Sequence, residues 1–165
     1  MAKSAKPIPE GFHTITTQLT LDNAAQTIDW YKRALGAQEI SRSNGPDGKI
    51  MHAELQIGDS RIFVNDVMQG YKGPKALGGS PASLWLYVEN CDTLFNRAVG
   101  AGGKVQMPMT DQFWGDRCGQ LEDPFGHQWS LATHKQDLTK EQVAAGAEAF
   151  FAKMQKQRQP EMAHN

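Results

Sequence analysis

The sequence predicts an α+β protein: two tandem βαβββ modules forming a curved mixed sheet, followed by a C-terminal helix. Three observations predict it. The segment "LDNAAQTIDWYKRALGA" from Leu21 is matched by "VENCDTLFNRAVGAGG" from Val88, 67 positions later, so that Leu21 meets Val88, Asn23 meets Asn90 and Ile28 meets Phe95. An alternating run precedes each copy, "TITTQLTL" and then "ASLWLYV". A hairpin pattern follows each copy at the same offset within one residue: "AELQIGDSRIFV" (Ala53–Val64) corresponds to "GQLEDPFGHQWSL" (Gly119–Leu131), and Ile62 meets Trp129.

The elements follow in order. A first strand covers about Thr14–Leu21. Asp22 or Asn23 caps the first helix, which carries Ala24, Ile28, Tyr31 and Leu35 on one face and stops at Gly36. A short strand near Gln38–Ser43 leads into the turn "NGPDG", and the hairpin "KIMHAELQIGDSRIFVNDV" closes on Gly58-Asp59. The second half repeats this plan, with "DPFG" (Asp123–Gly126) as its tight turn. We read one domain over 1–165: module one at about 14–67, a Gly/Pro-rich linker over 68–81, module two at about 82–134, and a C-terminal helix at about 139–157. Thr139 and Gln142 have capping-box spacing, and Val143, Ala147, Phe150, Phe151 and Met154 form an apolar stripe.

Bulk properties narrow the function. The chain has 165 residues, 39% hydrophobic and 21% charged, with net charge −1, which leaves no basic footprint for nucleic acid. No apolar run approaches the roughly 20 residues of a membrane span, and the N-terminal "MAKSAKPIPEGFHT" has no signal-peptide core, so the expected location is cytoplasmic. Cys91 and Cys118 lie far apart and form neither a disulfide framework nor a Cys-x-x-Cys site.

Strand alternation separates a core face from an open face. Ile15, Thr17, Leu19 and Leu21, then Met51, Ala53, Leu55, Ile62 and Val64, read as core in module one; Leu84, Leu86, Val88, Leu121, Trp129 and Leu131 do so in module two. The open face carries Thr16, Gln18, Thr20, His52, Glu54 and Phe63 in the first module. In the second it carries Ser83, Trp85, Tyr87, Cys118, Gln120 and Ser130, with Asp116 at the end of the row. Small polar residues mixed with aromatics are the lining of a small-molecule cleft rather than of a solvated sheet.

The repeated unit with "DWYKRALGA", "AELQIGDSRIFV" and "EDPFGHQWSLATH" resembles the vicinal oxygen chelate superfamily, the glyoxalase/bleomycin-resistance/dioxygenase group, over about Thr14–His134. "HAELQIGDSRIFVND" and "FWGDRCGQLEDPFGHQWSLATH" look most like its PhnB-like branch. The resemblance implies the glyoxalase/bleomycin-resistance fold, paired modules cupping a ligand, and a homodimer. PhnB-like sequences are often labelled methyltransferases, but no glycine-rich loop follows a strand here to hold a nucleotide-type cofactor. Metal-using members place one ligand on the first and one on the last strand of each module. Those seats map onto Thr16, Phe63, Ser83 and Ser130, none of them a usual divalent-metal ligand, so we expect no metal and no cofactor.

The candidate catalytic pair is His52 and Glu54, two apart on one strand, suited either to acid–base work or to orienting a ligand. Candidate ligand-binding residues are Gln18, Phe63, Trp85, Tyr87, Phe113, Trp114, Cys118, Gln120 and Ser130. Phe113-Trp114-Gly115 resembles the aromatic rim of bleomycin-resistance proteins; packing of the loop onto the body is the competing reading. The expected function is metal-independent binding of a small organic molecule with aromatic character, such as a toxic compound or antibiotic to be sequestered, with neither nucleic acid nor membrane as partner. The rival is a lyase, isomerase or dioxygenase with a non-standard metal site or a His52/Glu54 acid–base pair.

Overall fold

The helix of each module begins where an asparagine side chain replaces a missing backbone acceptor. In the computed structural model, which describes residues 6–68 and 70–162, with side chains to 157, Asn23 accepts from Gln26 N ahead of α1 (Ala24–Leu35) and Asn90 from Thr93 N ahead of α3 (Cys91–Gly100). Gln69 of the expected linker, the first five residues and the last three lie outside the described residues. Gly36 ends α1 in the left-handed conformation, φ 73°, which favours glycine. A second cap comes from the last strand of each module. Asp66 Oδ1 accepts from Ala24 N at 2.8 Å, and Thr133 Oγ1 accepts from Cys91 N at 2.9 Å, again 67 residues apart.

Module one contains β1 (Thr17–Leu21), α1, β2 (Gln38–Asn44), β3 (Ile50–Ile57) and β4 (Ser60–Asp66). Module two contains β5 (Ser83–Tyr87), α3, β6 (Lys104–Asp111), β7 (Asp116–Glu122) and β8 (Gln128–His134). A short helix, α2 (Pro74–Leu77), interrupts the segment between them, and α4 (Lys140–Met162) closes the described chain. The two four-stranded sheets have the same order, β1-β4-β3-β2 and β5-β8-β7-β6. Their registers coincide under the repeat: Gln18 pairs with Phe63 as Trp85 pairs with Ser130, and Leu19 with Val64 as Leu86 with Leu131. In each module the first strand runs parallel to the last, which the crossover through the helix permits.

The modules are joined helix to helix by a reciprocal pair of bonds. Trp30 Nε1 donates to Ala101 O at 2.7 Å, and Arg97 Nε donates to Ala34 O at 2.9 Å. Positions 30 and 97, and 34 and 101, are repeat partners, so the contact has the self-complementary form of a two-fold interface within one chain. One continuous core runs through both modules, with Leu21, Ile28, Tyr31, Leu55, Leu121, Trp129 and Leu131 fully buried or nearly so. Burying each such side chain contributes about 1.5–3 kcal/mol.

Asp123 ties this core together. Its Oδ1 accepts from Phe125 N and His127 N of its own turn, at 2.9 and 3.0 Å. Its Oδ2 accepts from Tyr31 Oη at 2.8 Å and Trp129 Nε1 at 3.0 Å, and the two rings meet edge to face at 5.2 Å. Burial, with Asp123 next to it, holds the Tyr31 phenol well above its ordinary pKa, so it stays a proton donor.

Three residues expected in the core lie outside it, one of them Thr17, exposed at the start of β1. Ile15 is 87% exposed, because β1 begins only at Thr17 and Ile15 precedes the pleat. Met51 is 48% exposed while Ile50 is buried. The β2–β3 register shifts between Ser43 and Asn44, whose partners are His52 and Ile50, so Met51 is the extra residue of a bulge and turns out. Pro108 lies on β6, an edge strand, where a missing N–H costs least.

Removing the Asp123 carboxylate leaves two buried side-chain donors unpaired. Asp123→Ala is expected to lower unfolding free energy by about 3 kcal/mol, and Tyr31→Phe by about 1 kcal/mol. Urea denaturation checks this; a loss below 1 kcal/mol in Asp123→Ala would contradict the assignment.

Candidate functional site

On the first sheet, the side away from the helix carries the residues the alternation assigned to it. His52 packs against Phe63 with centroids 4.7 Å apart and ring planes tilted by 54°, and Phe12 from the N-terminal segment meets Phe63 at 5.5 Å. Glu54 forms an ion pair with Arg61 of the adjacent strand. Gln18 Nε2 donates to Asn65 Oδ1 at 2.8 Å. Among the described residues no hydrogen bond joins His52 to Glu54: the histidine packs against a phenylalanine and the glutamate pairs with an arginine.

The second sheet presents a different surface. Trp85 and Tyr87, alternate residues of β5, are 44% and 57% exposed, with centroids 6.2 Å apart. The Tyr87 hydroxyl donates to Asp116 Oδ2 at 2.8 Å, and Trp114 Nε1 donates to the same oxygen at 3.0 Å. His134 Nδ1 lies 2.7 Å from Asp116 Oδ1, and its Nε2 lies 3.0 Å from Asp137 Oδ1. Burial pushes the Asp116 carboxyl up, but the bonds from His134, Tyr87 and Trp114 outweigh it and hold the pKa below the usual value. The bonds to Asp116 and Asp137 raise that of His134. Asp116 is buried, so a carboxylate beneath the sheet surface orients an exposed tyrosine. The repeat gave no signal for this cluster, because Ile50 occupies the equivalent place in module one.

Three expected binding groups stand elsewhere. Cys118 and Ser130 are fully buried. Ser130 lies in register between Trp85 and Gln120, and its Oγ is 3.2 Å from Ser83 Oγ; Cys118 lies between Ala132 and Thr110. Ser130 is a short side chain between longer neighbours, and burial pushes the Cys118 thiol pKa up, away from nucleophilic behaviour. Phe113 packs against Trp114 at 5.0 Å, Phe150 at 5.6 Å and Phe151 at 6.4 Å. It anchors α4 beside Gly146, where a Cβ would come within 3.0 Å of it. Gln120 is half-buried on the open face.

The four superfamily metal seats do not fit a divalent ion. Phe63 offers no donor, Ser83 and Ser130 bond to each other, and Thr16 offers only a hydroxyl. Among the described residues no three His, Cys, Asp or Glu side chains converge as ligands. His127, the residue after the second hairpin turn, is buried; among the described residues its Nε2 meets no partner, and burial lowers its pKa.

A cleft of about 480 Å³ opens where β1 and β5 approach. Repeat partners line it on both sides: Thr16 with Ser83, Gln18 with Trp85, Ser60 with His127. That volume is within the range of small-molecule sites.

Comparison with known proteins agrees with this architecture. The family profile described as Glyoxalase/Bleomycin resistance protein/Dioxygenase superfamily matches residues 12–131. The chain belongs to this superfamily, the vicinal oxygen chelate group. It is 40% identical over 136 residues to an uncharacterized protein of Mycobacterium tuberculosis, covering 79% of this chain and 80% of that one. It is 28% identical over 138 residues to YjdN of Escherichia coli, covering 71% and 92%. Among solved structures, TioX from a Micromonospora species superposes with TM-score 0.60 at 25% identity, covering 77% of this chain and 100% of TioX. A PhnB protein from Bacillus cereus, titled a putative 3-demethylubiquinone-9 3-methyltransferase, superposes with TM-score 0.58 at 21% identity, covering 73% and 99%, and so shows the fold alone.

The geometry around His134 predicts a pH dependence. A pKa raised by folding stabilises fully below the unfolded value of 6.5 and loses that contribution as pH rises through the folded value. The stability difference between wild type and His134→Gln should therefore be largest below pH 6.5 and shrink as pH rises through the raised folded-state value. Proton NMR should show the His134 ring titrating above 6.5 in wild type and moving back towards it in Asp116→Asn.

Proposed function

We propose that this protein binds a small organic molecule of aromatic character without a metal, on the open face of module two and in the adjoining cleft. The observation that supports this reading is the exposed Trp85–Tyr87 pair, with the Tyr87 hydroxyl fixed on buried Asp116. Two large aromatic side chains exposed together mark a binding surface more often than a solvated one. A phenol tied to a buried carboxylate has already lost its ring freedom, so less ordering cost remains on binding. Sequestration of a harmful compound is the purpose such a site serves, and we propose a cytoplasmic homodimer as the working form.

An enzymatic reading would rest on His52 and Glu54. It has less support, because a general base must reach a substrate proton and Glu54 is engaged by Arg61. Metal analysis of protein purified without chelator separates the two: stoichiometric metal that is lost in Glu54→Ala would overturn the metal-independent reading.

The binding reading is tested by thermal shift with planar aromatic compounds, followed by calorimetry of any hit. Trp85→Ala should weaken binding about tenfold, the order expected for a lost stacking contact, while leaving the unliganded melting temperature nearly unchanged. Unaltered affinity in Trp85→Ala would contradict the proposal. Sedimentation equilibrium tests the dimer.

A further inference from the structure

The cleft between the modules has an uneven charge that the platform itself does not explain. Among its lining residues Arg61 is the single lysine or arginine, and no aspartate or glutamate lines it. His13 and His127 also contribute walls, and the apolar part comes from Ile15, Ile57 and Trp85. The Arg61 side chain is 19% exposed, with its guanidinium carbon 5.9 Å from the Phe12 ring centroid.

The guanidinium has five N–H donors in a planar fork. Among the described residues its protein acceptor is Glu54, reached from Nη1 alone. Arg61 is on the cleft wall and Glu54 is not. The repeat shows that the charge is unnecessary for joining the hairpin. Gln128, 67 positions on, bonds its own cross-strand partner with a neutral amide, its Nε2 donating to Glu122 Oε2 at 2.7 Å, and Gln120 takes the place of Glu54. Of these two repeat partners, the cation is the one that lines the cleft, and the amide is not on its wall.

We propose that the cleft binds the carboxylate of a small organic acid on Arg61, with the apolar body of that acid against Trp85. This inference rests on the proposed binding function and names the ligand class. A guanidinium fork matches a carboxylate in plane and with two parallel bonds, which a point charge does not.

The test is calorimetry of the full chain with 2-naphthoate and its uncharged analogue 2-naphthamide at low salt. Naphthoate should bind at least tenfold more tightly, and added salt should weaken naphthoate but not naphthamide. Arg61→Gln should reduce naphthoate to the affinity of naphthamide and leave naphthamide unchanged, while Arg61→Lys should fall between. Equal affinity for the two compounds in wild type, or a preference for naphthoate that survives in Arg61→Gln, overturns the inference. If both compounds bind equally and Trp85→Ala weakens both, the platform stands and the anion site alone fails; if neither binds, both fall. The wild-type preference and its salt dependence decide the matter should Arg61→Gln not fold.

Discussion

The carboxylate of Asp123 is the constraint on which the rest of the structure depends. A buried charge costs several kcal/mol unless donors surround it, and Asp123 has four. Two come from its own turn, one from the strand that follows and one from a helix of the other module. Satisfying one residue therefore sets the hairpin turn, seats Trp129 in the core and brings α1 against module two. This contact exists once. The register puts Ile57, which has no polar side chain, in its place in module one, facing Ser60 as Asp123 faces His127, and the counterpart of Tyr31 is Ala98. The reciprocal Trp30 and Arg97 bonds supply the symmetric part of the joint, and Asp123 supplies the asymmetric part.

The two sides of each sheet have diverged to different degrees. On the helix side, strand register, capping asparagines and core positions coincide at a spacing of 67 residues, because a close-packed interior tolerates little change in volume. On the open side nothing obliges the halves to match. Module one carries an ion pair and a histidine packed against phenylalanine; module two carries exposed aromatics over a buried aspartate. Packing thus fixes a common scaffold, and the free faces carry whatever chemistry distinguishes this chain from other members of its superfamily.

Much of the architecture was legible in the residues because it is local. Asn23 and Gly36 mark a helix at its ends, "DPFG" marks a turn, and Thr139 with Gln142 bond as a capping box, at 2.9 and 3.2 Å. Alternation failed where its premise of an unbroken pleat failed. The bulge at Met51 exchanged an outward residue with Ile50, and the late start of β1 left Ile15 outside. Cys118 and Ser130 were placed on the correct face, yet alternation assigns a direction and not a depth. Phe113 was legible as an aromatic at a loop, but its partners sit on a helix more than thirty residues further on.

The sequence by itself determined the repeat, the order of elements, the superfamily and the absence of usual ligands at its metal seats. These depend on residue type and spacing along the chain, which are one-dimensional properties. Only the tertiary structure decided that Asp116 gathers Tyr87, Trp114 and His134, that Asp123 joins the modules, and that Arg61 lines a cleft beside Trp85. Each of these contacts joins groups from different strands, loops or helices. A side chain's partners across a sheet or between modules are set by register and packing, and the spacing of its neighbours in sequence does not specify them.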